Sequence, residues 1–581
     1  MRSRIQEYHL ADEFWVLEQL GSSSALSIGQ RKHISDRALE LIEHIRYSGK
    51  PGMMDQFLSE YGLSTNEGIA LMCLAESMLR VPDSGTIDTL INDKITPFDW
   101  VDHLGKSEFG IINAATVGLL LTGRVLDEDN SSSITGLLNR TVKRIGEPVV
   151  RAAVRQAMKE MGNQFVLGQT ILEALERAKP EMEKGYLYSF DMLGEAALTE
   201  ATADAYFESY ARAIEAISND KPQDSVITQP GISVKLSAIH PRFEYSQAKR
   251  LKSELVPRLT SLCLLAKKGG IPLTVDAEEA NRLEPLLDVV EMTLQDESLA
   301  GWDGFGVVIQ AYGKRAVPVI EWLNLLAEEL NRKLTVRLVK GAYWDSEIKT
   351  SQVIGVEDYP VFTTKTATDI AYVCCAKKLF EYNERIYPQF ATHNAQTAAT
   401  ILELAGGKRF EFQRLHGMGE SLHNYLINES AVSCRIYAPV GPHEDLLAYL
   451  VRRLLENGAN SSFVNQINDK KLPSASLAID PFKKFEARTI QRPSNLPLPA
   501  HIYQPSRLAS RGWDTSSPTD NVNIARDRFA FLKNIWTAGS ILSKPSERVA
   551  VSTRLEKIMN PAIEEDIVGE VLMASREDLE S

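Results

Sequence analysis

The sequence predicts an α/β protein: a distorted (βα)8 TIM-like barrel preceded by an all-helical region. Three observations predict it. Residues 1–184 read as helices, eight short β-rich runs separated by amphipathic helices fill residues 185–485, and each run turns polar near its C-terminal end.

In the first region, "SDRALELIEHIR" and "STNEGIALMCLAESMLR" carry apolar residues at helical spacing. In the second segment, Ser64 with Glu67 three residues on makes a capping box. No catalytic constellation falls here. The β-rich runs are "YLYSFDML", "GISVKLSAI", "IPLTVDA", "GFGVVIQAY", "LTVRLVKGA", "PQFATHN", "FEFQRLHG" and "CRIYAPVG", with segments such as "RAVPVIEWLNLLAEEL" between them. Beyond 485, "RPSNLPLPAHIYQPS" reads as a Pro-rich linker and "NVNIARDRFAFLKNIW" as a helix, together spanning 486–540. The residues from 541 onward are too few to form a domain of their own.

A chain of 581 residues, 44% hydrophobic, has ample material for a core and for two or more domains. Its net charge of -13 argues against a nucleic-acid partner. The cysteines form no C-x-x-C pair and mostly sit in apolar runs, which reads as buried free thiols in a reducing compartment. The N-terminus has no apolar signal core, and "IINAATVGLLLTG" falls short of a membrane span. A cytoplasmic protein is expected.

The polar strand ends are Asp191, Lys235, Asp276, Gln310, Arg337 with Lys340, His393 with Asn394, Gln413 with His416, and Tyr437. The C-terminal face of such a barrel carries the active site, so polar groups at every strand end point to one shared site. Lys235, Arg337, Lys340, Arg452 and Arg453 outnumber Asp191, Asp276 and Glu456, which implies an anionic ligand. In "YLVRRLLE", the forks of Arg452 and Arg453 suit a carboxylate or phosphate. A solvated helix face with an Arg452–Glu456 pair accounts for the same residues. The position of this helix just after the last strand brings it to the border of the site. No H-E-x-x-H, G-x-S-x-G, G-x-G-x-x-G or G-x-x-x-x-G-K-[ST] occurs, so no metal is expected and any nucleotide cofactor is held by the barrel's own loops. Three classes remain open on pattern alone: a Schiff-base lyase with Lys235 as nucleophile, a redox enzyme with a bound cofactor, and a non-catalytic binding protein.

The segments "GISVKLSAIHPR", "VDAEEANRLE", "RLVKGAYWDSEIK", "FATHNAQT", "FEFQRLHGMGE" and "CRIYAPVGPHEDLLAYLVRRLLENGANSSFVNQ" closely resemble the proline dehydrogenase half of the bacterial proline utilization A proteins, over about residues 60–485. The resemblance implies a helical arm and α domain over 1–184 and a proline dehydrogenase barrel over 185–485. It implies non-covalent FAD, oxidation of L-proline to Δ1-pyrroline-5-carboxylate, and electrons passed to a membrane quinone, with the protein peripheral on the inner membrane. It further implies that Arg452, Arg453 and Lys235 hold the substrate carboxylate, with Asp276 holding Lys235 or a neighbouring arginine. Tyr437 would pack on the proline ring, Glu195 would pair with Arg452 as a gate, and Arg337 would face the flavin N5. Gln310, Val339, Lys340, Gly341, Ala342, Trp344, Thr363, Lys365, Thr392, His393, Asn394, Gln413 and Glu456 match positions around the cofactor. Two departures are expected. No ribbon–helix–helix segment is recognised, so DNA binding is not expected. Residues 541–581 look like the opening of an aldehyde dehydrogenase half, without that activity.

Overall fold

The computed structural model describes residues 1–23, 26–48, 86, 166–218, 225–430, 432–442, 452, 463–469, 471–531, 534–539, 555–574, 576 and 580. The Ser64–Glu67 capping box, Cys73, Arg453 and Glu456 lie outside them, and of "YLVRRLLE" only Arg452 lies within. The chain divides into two compact units, Met1–Trp513 and Asp514–Ser581.

The first unit is built on a closed barrel of eight parallel strands in sequential order. They are β1 (Tyr186–Met192), β2 (Gly231–Val234), β3 (Leu273–Val275), β4 (Phe305–Gln310), β5 (Leu334–Val339), β6 (Ile386–Ala391), β7 (Glu411–Leu415) and β8 (Ser433–Val440). The ring closes where Tyr186–Met192 pairs in register with Cys434–Val440. Each of the eight β-rich runs overlaps one of these strands; β6 and β8 begin two residues and one residue before the runs that predict them. Helices α1 (Arg2–Glu7), α2 (Glu13–Ser23), α3 (Ile28–Ser48) and α4 (Ile171–Glu183) precede the barrel. Its outer layer comprises α5 (Glu200–Ser218), α6 (Val256–Gly269), α7 (Leu283–Leu294), α8 (Ala316–Glu329), α9 (Trp344–Ile354), α10 (Lys365–Glu381), α11 (Ala395–Ala405) and α12 (Glu420–Ser430). After β8 come α13 (Phe463–Asn468) and α14 (Pro481–Glu486).

Local chemistry sets the helix ends near the site. Thr364 and Asn394 cap α10 and α11 by accepting from the N–H groups of Ala367 and Thr397. Gly270 and Gly355 close α6 and α9 in the left-handed conformation. Strand alternation then divides the side chains. In β1, Tyr188 and Phe190 join the buried core under the helices, whereas Ser189 and Asp191 bond to groups inside the barrel. The interior is polar low in the barrel as well. Arg435 pairs with Glu411 and donates to the carbonyls of Tyr188, Gln229 and Ile227. A charge so deeply buried is tolerated because it is paired and its donors are matched.

The N-terminal helices are bonded to the barrel. The Glu13 carboxylate accepts from the Thr363 N–H at 3.0 Å and its hydroxyl at 2.6 Å. Lys314 donates to the Ala11 carbonyl, and Arg46 donates to carbonyls of Gln466, Ile467, Asp469 and Leu472 at the end of α13. The stretch read as a linker is packed against the barrel over its first part. Arg492 pairs with Asp358, the Tyr359 hydroxyl donates to the Pro497 carbonyl, and Leu496 is buried with Tyr312, Tyr359 and Val361. Its apolar residues supply a surface that composition alone did not reveal.

The second unit holds α15 (Pro518–Phe529) and a sheet of β9 (Trp536–Gly539), β10 (Leu555–Asn560) and β11 (Ile563–Leu572). The central strand β11 runs antiparallel to β10 and parallel to β9. Residues read as too few for a domain therefore contribute two strands to a unit that begins at Asp514. Cys263, Cys374, Cys375 and Cys434 are buried free thiols. Among the described residues, no helix is long and apolar enough to cross a membrane.

Candidate active site

A cavity of about 460 Å³ opens at the C-terminal ends of the strands. It is lined by Lys235, Asp276, Gln310, Arg337, Val339, Lys340, Gly341, Ala342, Lys365, Thr392, His393, Asn394, Gln413, Tyr437 and Arg452 from the sequence-derived set.

Inward-facing ends of five strands meet at its floor. Lys235 Nζ lies 2.8 Å from Asp191 Oδ2 and 3.4 Å from Asp276 Oδ2. Arg337 pairs with Asp276 Oδ1 at 2.8 Å and donates to the Ser233 and Ser189 hydroxyls at 2.8 and 3.3 Å. The Tyr437 hydroxyl sits 2.6 Å from Asp191 Oδ2, 2.7 Å from Asp276 Oδ2 and 3.3 Å from Lys235 Nζ. Its ring lies under the Arg337 guanidinium, 5.1 Å from centroid to Cζ. Asp191 is fully buried, 0% exposed, beneath the cavity floor and not among its lining residues.

These contacts fix the protonation states. Burial works against the Lys235 ammonium, but the carboxyl groups beside it, Asp191 foremost and then Asp276, outweigh it and raise its pKa well above the usual value. A lysine kept charged is not a nucleophile, so the geometry disfavours the Schiff-base class. Burial pushes the Tyr437 phenol well up, reinforced by the two carboxylates, and it stays neutral.

At the rim, Arg452 makes a bidentate pair with Glu195, both bonds at 2.7 Å. Burial opposes the Glu195 carboxylate, yet the Arg452 hydrogen bonds and charge hold its pKa below the usual range. The Arg452 guanidinium also stands over the Tyr343 ring at 5.1 Å. Across the cavity, Lys340 pairs with Asp369, and Lys365 opens α10 at the rim. Burial, then the neighbouring Lys340 charge, lowers the Lys365 pKa. The backbone of Gly341 has φ +143°, and a Cβ there would meet the Tyr312 ring at 2.4 Å. His393 Nε2 accepts from the Leu415 N–H, which places the proton of a neutral ring on Nδ1. Gln310 bridges two loops, donating to the Glu278 carbonyl and accepting from the Ala342 N–H.

Some sequence-derived residues lie elsewhere. Trp344 is 37% exposed and donates its indole N–H to the Phe362 carbonyl. Thr363 is spent on Glu13. Neither lines the cavity, because the chain turns at Tyr343 and Thr364 to start α9 and α10. His416 is also absent from the lining; burial, with Arg414 beside it, lowers its pKa to about 3. Tyr343, Arg414 and Phe463 line the cavity and were missed. So were Ser189 and Ser233, although each stands two residues before a recognised one, Asp191 and Lys235, on the same strand face.

Comparison with known proteins bears on this geometry. The family model for proline dehydrogenase matches residues 174–466, half of the chain. The chain belongs to the proline dehydrogenase family. A second model, described as the DNA-binding domain of proline dehydrogenase, matches residues 53–165. That match runs against the expectation of no nucleic-acid module, drawn from the acidic net charge and the lack of a recognised ribbon–helix–helix segment; the matched segment itself has more Asp and Glu than Lys and Arg, so charge does not mark it. The bifunctional protein PutA of Klebsiella aerogenes is 47% identical over 567 residues, covering 94% of this chain and 43% of that protein. Proline dehydrogenase 1 of Bacillus subtilis is 29% identical over 307 residues, 52% of this chain and 88% of that one. A solved proline utilization A variant from Bradyrhizobium japonicum aligns at 46% identity with a TM-score of 0.71, covering 93% of this chain and 54% of its own. The chain thus spans about half the length of the relatives it matches end to end.

Proposed function

We propose that this chain, with residues 185–485 as its catalytic unit, oxidises L-proline to Δ1-pyrroline-5-carboxylate with FAD as hydride acceptor. Electrons then pass to a membrane quinone, with the protein cytoplasmic and peripheral on the inner membrane. The observation that carries the reading is a cavity with fixed cations at two places. Lys235, Arg337 and Arg452 surround the floor and near rim, and Lys340 with Lys365 stand on the far side.

The far side suits a dinucleotide. Lys340 pairs with Asp369, whose charge also reaches Lys365, and the N-terminus of α10 adds a positive dipole end. Gly341 lets the backbone come close, and Gln310, Val339, Ala342, Thr392, His393, Asn394 and Gln413 line the walls. When bound, FAD supplies an acceptor for the hydride on the proline ring carbon next to nitrogen.

The chain's own residues do the rest. Arg452, Arg453 and Lys235 clamp the proline carboxylate, the arginines through their planar forks. Tyr437 presents its ring to the pyrrolidine. Asp276 keeps Arg337 aimed, and Arg337 stabilises negative charge on the cofactor side with no reorganisation, since Ser233 and Ser189 already hold it. The Glu195–Arg452 pair gates the rim before substrate arrives, and Arg452 exchanges Glu195 for the proline carboxylate on binding. The test is the visible spectrum of the purified protein. Flavin bands that bleach on addition of L-proline are expected. Folded protein that takes up no FAD, or whose flavin proline leaves oxidised, would overturn the reading.

A further inference from the structure

One hydroxyl at the cavity floor has more short contacts than it has protons. Tyr437 carries a single O–H, yet its oxygen is 2.6 Å from Asp191 Oδ2 and 2.7 Å from Asp276 Oδ2. Donating to one carboxylate leaves the other oxygen pair in contact with no hydrogen between them, which two lone pairs do not tolerate. A second proton therefore belongs in the chain Asp191–Tyr437–Asp276. The surroundings choose its seat. Asp276 has the Arg337 guanidinium on one oxygen and Lys235 near the other. Asp191 has Lys235 on Oδ2 alone, and its buried Oδ1 has no hydrogen-bond partner among the described residues. A neutral carboxyl leaves that oxygen far cheaper to bury than a carboxylate does.

We infer that Asp191 sets the charge of the substrate pocket: it holds a proton when a carboxylate ligand is bound, and releasing that proton weakens the ligand's grip. With Asp191 neutral, the floor carries Lys235 and Arg337 against Asp276 alone, a net positive charge that an incoming carboxylate neutralises. With Asp191 ionised, that charge is gone before the ligand arrives. The inference rests on the proposed proline reading, in which the pocket accepts a carboxylate. Burial, which dominates, and the Asp276 charge raise the Asp191 pKa, against Lys235 and Tyr437, in keeping with the proton count. The charged or titratable groups around it are Lys235 just after β2, Asp276 just after β3, Arg337 on β5, Tyr437 on β8 and Tyr210 on α5. Lys235 faces the Asp276 carboxylate and burial keeps both tyrosines neutral, so the exchange falls to Asp191. Asp191 is a positioning residue, since it lies below the floor and acts through Lys235 and Tyr437.

The probe is cyclopentanecarboxylate, which has the ring and the carboxylate but no amine to titrate or oxidise. Its Kd is measured by calorimetry on the flavin-loaded protein from pH 6 to 10, with wild type and Asp191→Asn. Asparagine stands in for the neutral acid: it carries no charge, and its amide oxygen at the Oδ2 position accepts from Lys235, or its amide nitrogen there donates to Tyr437. Wild-type affinity should be highest at low pH. It should then fall toward about tenfold per pH unit as the free site loses its proton, because one proton is linked to binding. Asp191→Asn should bind with a flat profile near the wild-type low-pH limit. Flavin content and thermal melting check that the variant is folded, and Asp191→Ser provides a second neutral side chain should asparagine fail. A flat wild-type profile, or variants that retain the wild-type slope, would overturn the inference alone. No binding at any pH would overturn the proline reading, and this inference with it.

Discussion

Replacing Arg452 by methionine tests the carboxylate clamp most directly. The change keeps a flexible stem over Tyr343 and removes the fork. A charge-assisted hydrogen bond contributes roughly 1.5–3 kcal/mol. In the structure both arms of the fork are already engaged, at 2.7 Å each, by Glu195. An incoming proline carboxylate exchanges one carboxylate partner for another, so the net gain sits at the low end of that range. The expected loss in kcat/KM for proline is therefore about tenfold, and not a hundredfold. Glu195→Gln removes the competing charge and should lower KM in the wild-type background while having little effect beside Arg452→Met. The assay is steady-state kinetics on the four members of this cycle, with the flavin-to-protein absorbance ratio recorded for each. That ratio should stay near wild type. Unchanged kcat/KM in Arg452→Met would refute the clamp and leave the pair as a rim contact only.

Arg337→Met breaks a buried ion pair and leaves Asp276 Oδ1 without its donor while Lys235 and Tyr437 keep Oδ2, which should cost about 1–3 kcal/mol in urea unfolding and also lower flavin retention. A variant as stable as wild type would contradict the cluster described above. Glu347, 5% exposed, has its pKa raised to about 7 by burial, so the folded protein keeps a proton that the unfolded chain has released. This contribution is complete below the unfolded pKa, near 4.5, and lost as pH rises through 7. It amounts to about 3 kcal/mol. Glu347→Gln, which can still accept from the Ala280 N–H, should flatten the decline of the unfolding midpoint between pH 5 and 8; an unaltered decline would show that another group causes it. Borohydride added with a carbonyl compound should leave Lys235 unmodified, and a reduced adduct on it by mass spectrometry would revive the lyase class.

The barrel was legible because parallel strands covered by helices read as apolar runs, and because their polar ends all face one mouth. Lys235, Arg337 and Tyr437 come from three different runs and converge at the floor, as strand-end position alone suggested. What escaped depends on direction and distance. Ser189 and Ser233 are short, neutral residues whose role appears only once Arg337 reaches across the barrel to them. Trp344 and Thr363 sit beside cavity residues in sequence but turn away from the cavity as helices begin. The Thr363 partner lies 350 residues earlier in the chain, beyond any local pattern.

That distant partnership has a consequence for assembly. Glu13 leaves the ribosome before any barrel strand, whereas Thr363 emerges only after five of the eight strands. The rim from which Lys365 projects is thus pinned by a residue that must wait, in the growing chain, for its counterpart. Trimming the amino terminus, far from the catalytic floor, would loosen the start of α10 and the cationic corner beside it. Loss of cofactor on storage or partial digestion would then report on damage at α2 before it reported on the barrel.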